Sequence, residues 1–250
     1  MIKNAPPPPS LDWCLFLDVD GTLLELTDTP SGTVADQGLK SLLEQVAERL
    51  GGAVALVSGR SIAYLDALFA PLKLPSAGLH GVERRKASGA IQGANYSDAQ
   101  LNGARAALQA FVEAHPGTLL EDKGRNLAVH YRMAPELESS VRRTVAAAAA
   151  PMGPSYHIQE GNMVLEIKPY GFTKATAAKE FMQEPPFSGR TPVFVGDDLT
   201  DQAGFEMVEA LGGISIGVGD RVRGQWRCDD PTAVRRWLEG IAALTDTHRA

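Results

Sequence analysis

The sequence predicts an α/β fold: a parallel sheet flanked by helices, with a small α+β domain inserted near the middle of the chain. Three observations carry this. Apolar runs alternate with helix-period segments at both ends of the chain, the order expected of strand–helix–strand units. These runs are continuously apolar, as in strands buried on both faces. The middle instead alternates with period two, which marks an antiparallel sheet with one covered face.

The elements follow in order. Trp13–Leu17 is a short apolar run bounded by turn residues and reads as the first strand. Leu39, Leu42, Leu43, Val46 and Leu50 recur at helical spacing, so Gly38–Leu50 reads as a helix. Ala53–Val57 is a second buried strand, and Ser61–Phe69 a helix stopped by Pro71. At the far end, Thr173–Gln183, Gln202–Leu211 and Trp237–Leu244 read as helices, and Pro192–Val195 and Gly213–Val218 as strands. Between the two ends, Leu101–Ala114 and the alanine-rich Leu137–Ala150 read as helices. Arg125–Arg132 alternates Leu127, Val129 and Tyr131 against Ala128, His130 and Arg132, and Met163–Lys168 alternates Leu165 and Ile167 against Val164, Glu166 and Lys168. The inserted domain is therefore placed at 102–169, and the core at 1–101 with 170–250.

The 250 residues are 44% hydrophobic and 22% charged, enough for a buried core without covalent staples. The two cysteines, Cys14 and Cys228, have no metal-type spacing. Cys14 lies inside an apolar run and reads as a small buried hydrophobe. A net charge of −6 speaks against nucleic acid or an anionic membrane as partner, because both demand a basic surface. No run reaches the roughly 18 apolar residues of a membrane span. Met1–Ser10 holds four consecutive prolines and lacks the apolar stretch of a secretory signal. The expectation is a cytoplasmic protein, monomeric or weakly oligomeric, acting on a small molecule.

Three apolar runs end in polar clusters: Asp18-Val19-Asp20-Gly21-Thr22, Ser58-Gly59-Arg60 and Gly196-Asp197-Asp198. In an open parallel sheet, ligands bind beyond the carboxyl ends of the strands, so one sheet can bring these clusters together. Lys174 opens a helix and can join them. Three or more carboxylates in one place repel, and a divalent cation relieves the repulsion; an all-oxygen set suits Mg²⁺. Lys174 and the amides near Ser58 can take the oxygens of a phosphate. Asp18 can attack phosphorus, and Asp20 can serve as acid and base. Blander roles fit some of these residues: Ser58 or Asp197 as helix caps, Asp198 or Asp201 as supports, His80 as a turn residue, and Glu121–Gly124 as a hairpin tip.

Asp18-Val19-Asp20-Gly21-Thr22-Leu23 resembles the D-x-D-G-T-[LV] signature of haloacid dehalogenase-type phosphatases, with Ser58, Lys174 and Gly196-Asp-Asp198 resembling the other motifs in order. Ser58-Gly-Arg60, Ala77-Gly-Leu-His-Gly81, Glu121-Asp-Lys-Gly124, His130-Tyr-Arg132, Glu166-Ile-Lys-Pro169 and Gly196-Asp-Asp-Leu-Thr-Asp201 together resemble the trehalose-6-phosphate phosphatase family. The resemblance runs from about Leu15 to Leu238. It implies a Rossmann-like core with an inserted cap of the C2 type, and Mg²⁺-dependent release of phosphate from trehalose 6-phosphate. Asp18 would be the nucleophile and Asp20 the acid and base, with Lys174 completing the catalytic set. Asp18, the Asp20 main-chain carbonyl and Asp197 would hold Mg²⁺. Thr22, Ser58, Gly59, Arg60 and Lys174 would surround the phosphate, and Glu121, Lys123 and Glu166 would bind sugar. The same core chemistry serves phosphatases of sucrose phosphate or mannosyl-phosphoglycerate, and a sensor that binds without turnover would share the fold.

Overall fold

The computed structural model describes residues 5–26, 33–93 and 98–245, with 98–100 described by backbone alone. The chain divides into two compact units, Met1–Gln92 with Thr173–Ala250, and Gly93–Phe172.

The first unit is built on strands β1 (Trp13–Leu17), β2 (Val54–Val57), β3 (Ser76–Gly78), β4 (Glu83–Arg85) and β5 (Ile91–Gly93). Its helices are α1 (Gln37–Arg49) and α2 (Ile62–Phe69). Its strands run in the sheet order β12-β11-β10-β1-β2-β3-β4-β5, where β10 is Thr191–Gly196, β11 Ile214–Val218 and β12 Trp226–Cys228. Pairing is parallel from β12 to β3 and turns antiparallel at β3–β4. Every residue of β1 is buried, which is why its sequence is apolar without alternation. Phe16 sits beside Phe194 of β10 and Ala55 of β2, and stacks on Phe187 at 5.7 Å.

From β1 the chain winds through α1 to β2, whereas from β10 it winds the opposite way to β11. Right-handed crossovers therefore send the two connections to opposite faces. The strand order reverses between β1 and β10, and the crevice at their carboxyl ends is where such a sheet binds ligands. Local signals set the helix starts. Asp36 caps α1 by accepting from Leu39 N at 2.9 Å. Thr173 caps α5 (Lys174–Phe181) in a reciprocal pair with Thr176. The last helix, α7 (Pro231–Ala242), begins six residues before the predicted Trp237, because Asp230 caps it and Pro231 opens it. No helix among the described residues is long and apolar enough to cross a membrane.

The second unit holds a four-stranded antiparallel sheet of order β6-β7-β9-β8, where β6 is Leu119–Asp122, β7 Leu127–His130, β8 Tyr156–Gly161 and β9 Val164–Pro169. Helices α3 (Asp98–Ala114) and α4 (Glu138–Ala149) accompany it. Leu127, Val129, Leu165 and Ile167 join Leu101, Leu108, Val141 and Val145 in a core separate from that of the first unit. This unit extends beyond the 102–169 read from sequence at both ends, since α3 starts at Asp98 and the core sheet ends only at β5. The period-two alternation is present, but the polar face is not open as alternation alone implies. Glu166 is 5% exposed and Lys168 fully buried. Partners on β8 and in the β6–β7 turn satisfy both: Lys168 Nζ donates to Gln159 Oε1 at 2.9 Å, and Glu166 accepts from two turn side chains described below.

Candidate active site

At the β1–β10 crevice, Asp18 directly follows β1 and Asp197 directly follows β10, both buried. Lys174, the first residue of α5, is buried between Asp18 and Asp201, with Nζ at 2.6 Å from Asp18 Oδ1 and 2.7 Å from Asp201 Oδ1. Thr22 Oγ1 lies 3.4 Å from both Asp18 Oδ2 and Asp197 Oδ1. Oxygens of Asp18, Asp197 and Asp201 all come within 4.8 Å of one another.

Two glycines make that crowding possible. Gly21 has φ +82°, and a Cβ there would collide with the Asp197 carboxylate. A Cβ on Gly196 would collide with the Asp201 carboxylate. The other Asp201 oxygen, Oδ2, accepts from Asp197 N at 3.1 Å and Asp198 N at 3.0 Å. Both oxygens of Asp201 are thus committed to protein donors, and this residue ties the β10 loop to Lys174.

Burial, and next the adjacent Asp18, push the Asp197 carboxyl up to about 8. Burial also raises Asp201, to about 7, with Lys174 pulling the other way. Burial disfavours the Lys174 ammonium, but Asp18 and Asp201 outweigh it and hold Lys174 above the usual lysine range. Arg221, from the turn after β11, reaches Asp197 Oδ2.

Asp20 sits in a different setting. Arg60 grips it with two prongs, Nε to Oδ2 at 2.8 Å and Nη2 to Oδ1 at 2.9 Å, and Thr33 Oγ1 is 3.4 Å from Oδ1. The Arg60 guanidinium lies 4.7 Å from the centre of the Tyr64 ring. Ser58 is buried and its Oγ accepts from Arg60 N at 3.1 Å. The cap of α2 is Ser61, not Ser58, and the cap of the turn at Leu199–Asp201 is Asp198, not Asp197. His80 has φ +57°, donates its amide to Ser58 O at 2.9 Å, and covers Gly59 so closely that a Cβ there would stand 2.8 Å from its Nε2.

The remaining predicted residues lie in the second unit. Glu121 Oε2 is 2.9 Å from His130 Nε2 and 3.8 Å from Lys123 Nζ. Lys123 Nζ is 3.2 Å, and Asn126 Nδ2 2.8 Å, from Glu166 Oε1. The structure therefore joins Asp18, Thr22, Lys174 and Asp197 in one cluster, sets Asp20 with Arg60, and joins Glu121, Lys123 and Glu166 in another. Sequence reasoning missed Arg221 and Asn126, which belong to no motif, and left Asp201 undecided between capping and support.

Known proteins resemble the chain along most of its length. The Trehalose-phosphatase family model matches residues 16–235. A probable trehalose-phosphate phosphatase of Sinorhizobium fredii is 43% identical over 84% of this chain and 79% of its own length. The trehalose-6-phosphate phosphatase of Escherichia coli is 40% identical over 96% of this chain and 90% of its own. The solved structure of a trehalose-6-phosphate phosphatase related protein superposes with a TM-score of 0.78 at 27% identity, covering 92% of this chain and 96% of that one. The C-terminal domain of the Candida albicans trehalose-6-phosphate phosphatase shares the fold, with a TM-score of 0.83 at 17% identity over 97% and 99% of the two chains. The fold is shared with a haloacid dehalogenase-like hydrolase from B. subtilis, at a TM-score of 0.63 and 14% identity over 90% of this chain and 98% of that one, and the chain, an enzyme, belongs to the trehalose-phosphatase family.

Proposed function

We propose that this enzyme hydrolyses trehalose 6-phosphate to trehalose and phosphate, with Asp18 as the nucleophile. The observation that carries the mechanism is the contrast between the two aspartates of one loop. Asp18 is buried against Lys174 inside an acidic cluster, while Asp20 is held apart by Arg60.

An Asp18 oxygen attacks phosphorus, and the bond from phosphorus to the sugar oxygen breaks. Asp20, once it leaves the Arg60 guanidinium and carries a proton, gives that proton to the departing sugar oxygen. Asp20 then takes a proton from water, which attacks the aspartyl-phosphate and frees phosphate and Asp18. Lys174 neutralises Asp18 before the attack and offers N–H donors to phosphate oxygens during it. Thr22 and the Ser58 hydroxyl add uncharged donors, the Ser58 amide being engaged with Ala77 O at 2.9 Å.

The donor set fits Mg²⁺. The cluster sets three carboxylates, Asp18, Asp197 and Asp201, against two cations, Lys174 and Arg221, and burial works against the Asp197 charge. Because Asp201 is committed to Lys174 and two amides, Asp18, the Asp20 carbonyl and Asp197 are the residues that would hold the ion. Bound there, Mg²⁺ supplies charge neutralisation between carboxylate and phosphate.

In the second unit, Glu121, Lys123 and Glu166 offer acceptors and donors matched to sugar hydroxyls. The test is phosphate release from trehalose 6-phosphate and sucrose 6-phosphate, with Mg²⁺ or with chelator, by the wild type and Asp18→Asn. Release from the trehalose ester alone, dependent on Mg²⁺ and lost in the variant, is expected. Full activity in Asp18→Asn removes the nucleophile, and equal use of the sucrose ester removes the substrate.

A further inference from the structure

We infer that Asn126 is a positioning residue of the sugar site, aiming the carboxylate of Glu166 at a ligand hydroxyl; this rests on the reading of Glu166 as a sugar-binding residue.

Asn126 lies in the hairpin between β6 and β7. Its main-chain carbonyl accepts from Lys123 N at 3.0 Å, which fixes its backbone. Its side chain is fully buried, and Nδ2 donates to Glu166 Oε1 at 2.8 Å. Lys123 Nζ reaches the same oxygen at 3.2 Å. A buried carboxylate needs both a countercharge and a fixed donor. Lys123 gives the charge, but it is shared with Glu121 at 3.8 Å and rides on a long flexible stem. It balances Glu166 without fixing its direction. Asn126 is short, buried and anchored, and it does fix that direction.

The orientation of the amide supports this. Turned over, Asn126 would set its carbonyl oxygen against the carboxylate, two acceptors face to face. The donor therefore faces Glu166, and Oδ1 is left buried with no hydrogen-bond partner among the described residues. An unpartnered buried carbonyl works against folding, and an apolar side chain here would avoid it. The amide is retained where its one strong interaction is with a proposed ligand-binding acid, which is the mark of a positioning role.

The experiment compares kcat/KM for trehalose 6-phosphate with kcat/KM for p-nitrophenyl phosphate, which has no sugar, in wild type, Asn126→Leu, Glu166→Ala and the double variant. The ratio should fall about tenfold in Asn126→Leu, through KM for the sugar ester. Glu166→Ala should lower it at least as far, and the double variant no further than Glu166→Ala alone. An unchanged ratio in Asn126→Leu overturns the inference, as do losses that multiply in the double variant. Asn126→Ser keeps a donor and should lose less than Asn126→Leu; it also serves if the leucine variant does not fold, and losses that multiply in Asn126→Ser/Glu166→Ala overturn the coupling. If Glu166→Ala itself leaves the ratio unchanged, the sugar-site reading fails first, which separates the two failures.

Discussion

Replacing Asp197 by Asn removes a charge that the metal-free protein holds poorly. The native carboxyl keeps its proton up to about 8, against an ordinary value of 3.8. Between those limits the native state binds a proton that the unfolded chain has released, so wild-type stability falls as pH rises through the window. At roughly 1.4 kcal/mol for each pH unit above the ordinary value, the penalty at pH 7 is about 4 kcal/mol, and at pH 5 about 2 kcal/mol. For a chain of this length that is on the order of 10 °C in Tm at pH 7. Asparagine keeps the shape without the charge. Metal-free Asp197→Asn should therefore melt well above metal-free wild type at pH 8, by less at pH 5. Millimolar Mg²⁺ should raise the wild-type Tm and leave the variant unmoved. Circular-dichroism melts in chelator and in Mg²⁺ at pH 5, 7 and 8 measure all of this. A variant that melts below wild type at pH 8 in chelator, or a gap that does not change with pH, refutes the reasoning.

Two further outcomes follow from the geometry. Asp20→Asn should cut steady-state release from the sugar ester by about 10²–10⁴, yet keep a first-turnover burst of nitrophenol from p-nitrophenyl phosphate, whose leaving group needs no proton. Stopped-flow absorbance checks this, and loss of burst and steady state together contradicts the role. Gly21→Ala should cost about 2 kcal/mol or more, because it strains a positive φ and drives a methyl into Asp197. It should also weaken Mg²⁺ binding by calorimetry; normal stability with normal binding counts against the packing described.

The legible parts of this protein were those written locally. Asp18 and Asp197 announce themselves because each directly follows a strand whose five or six residues are nearly all apolar, and the strand end fixes where the next side chain goes. Helix starts were readable where a cap and its helix are adjacent, as at Ser61, and α7 would have been placed correctly had Asp230-Pro231 been weighed. The three-residue strands β3, β4, β5 and β12 carry too few residues for any period. Asp201 could not be ranked from sequence, because its partner Lys174 lies 27 residues away. Nor could the burial of Glu166 and Lys168 be read: alternation tells which face a residue takes, while the residues that make that face habitable for charge come from elsewhere, Asn126 and Lys123 from the β6–β7 turn and Gln159 from β8.

The two hydrophobic cores share no residue among those described. The proposed phosphoryl chemistry belongs to one and the proposed sugar contacts to the other. A substitution that loosens the packing under Glu121 or Glu166 touches none of the core residues that pack beneath Asp18, so on the proposed roles drift in the inserted segment would spare the reaction. On the proposed roles, such a chain would change its choice of sugar by steps that keep the catalytic cluster intact.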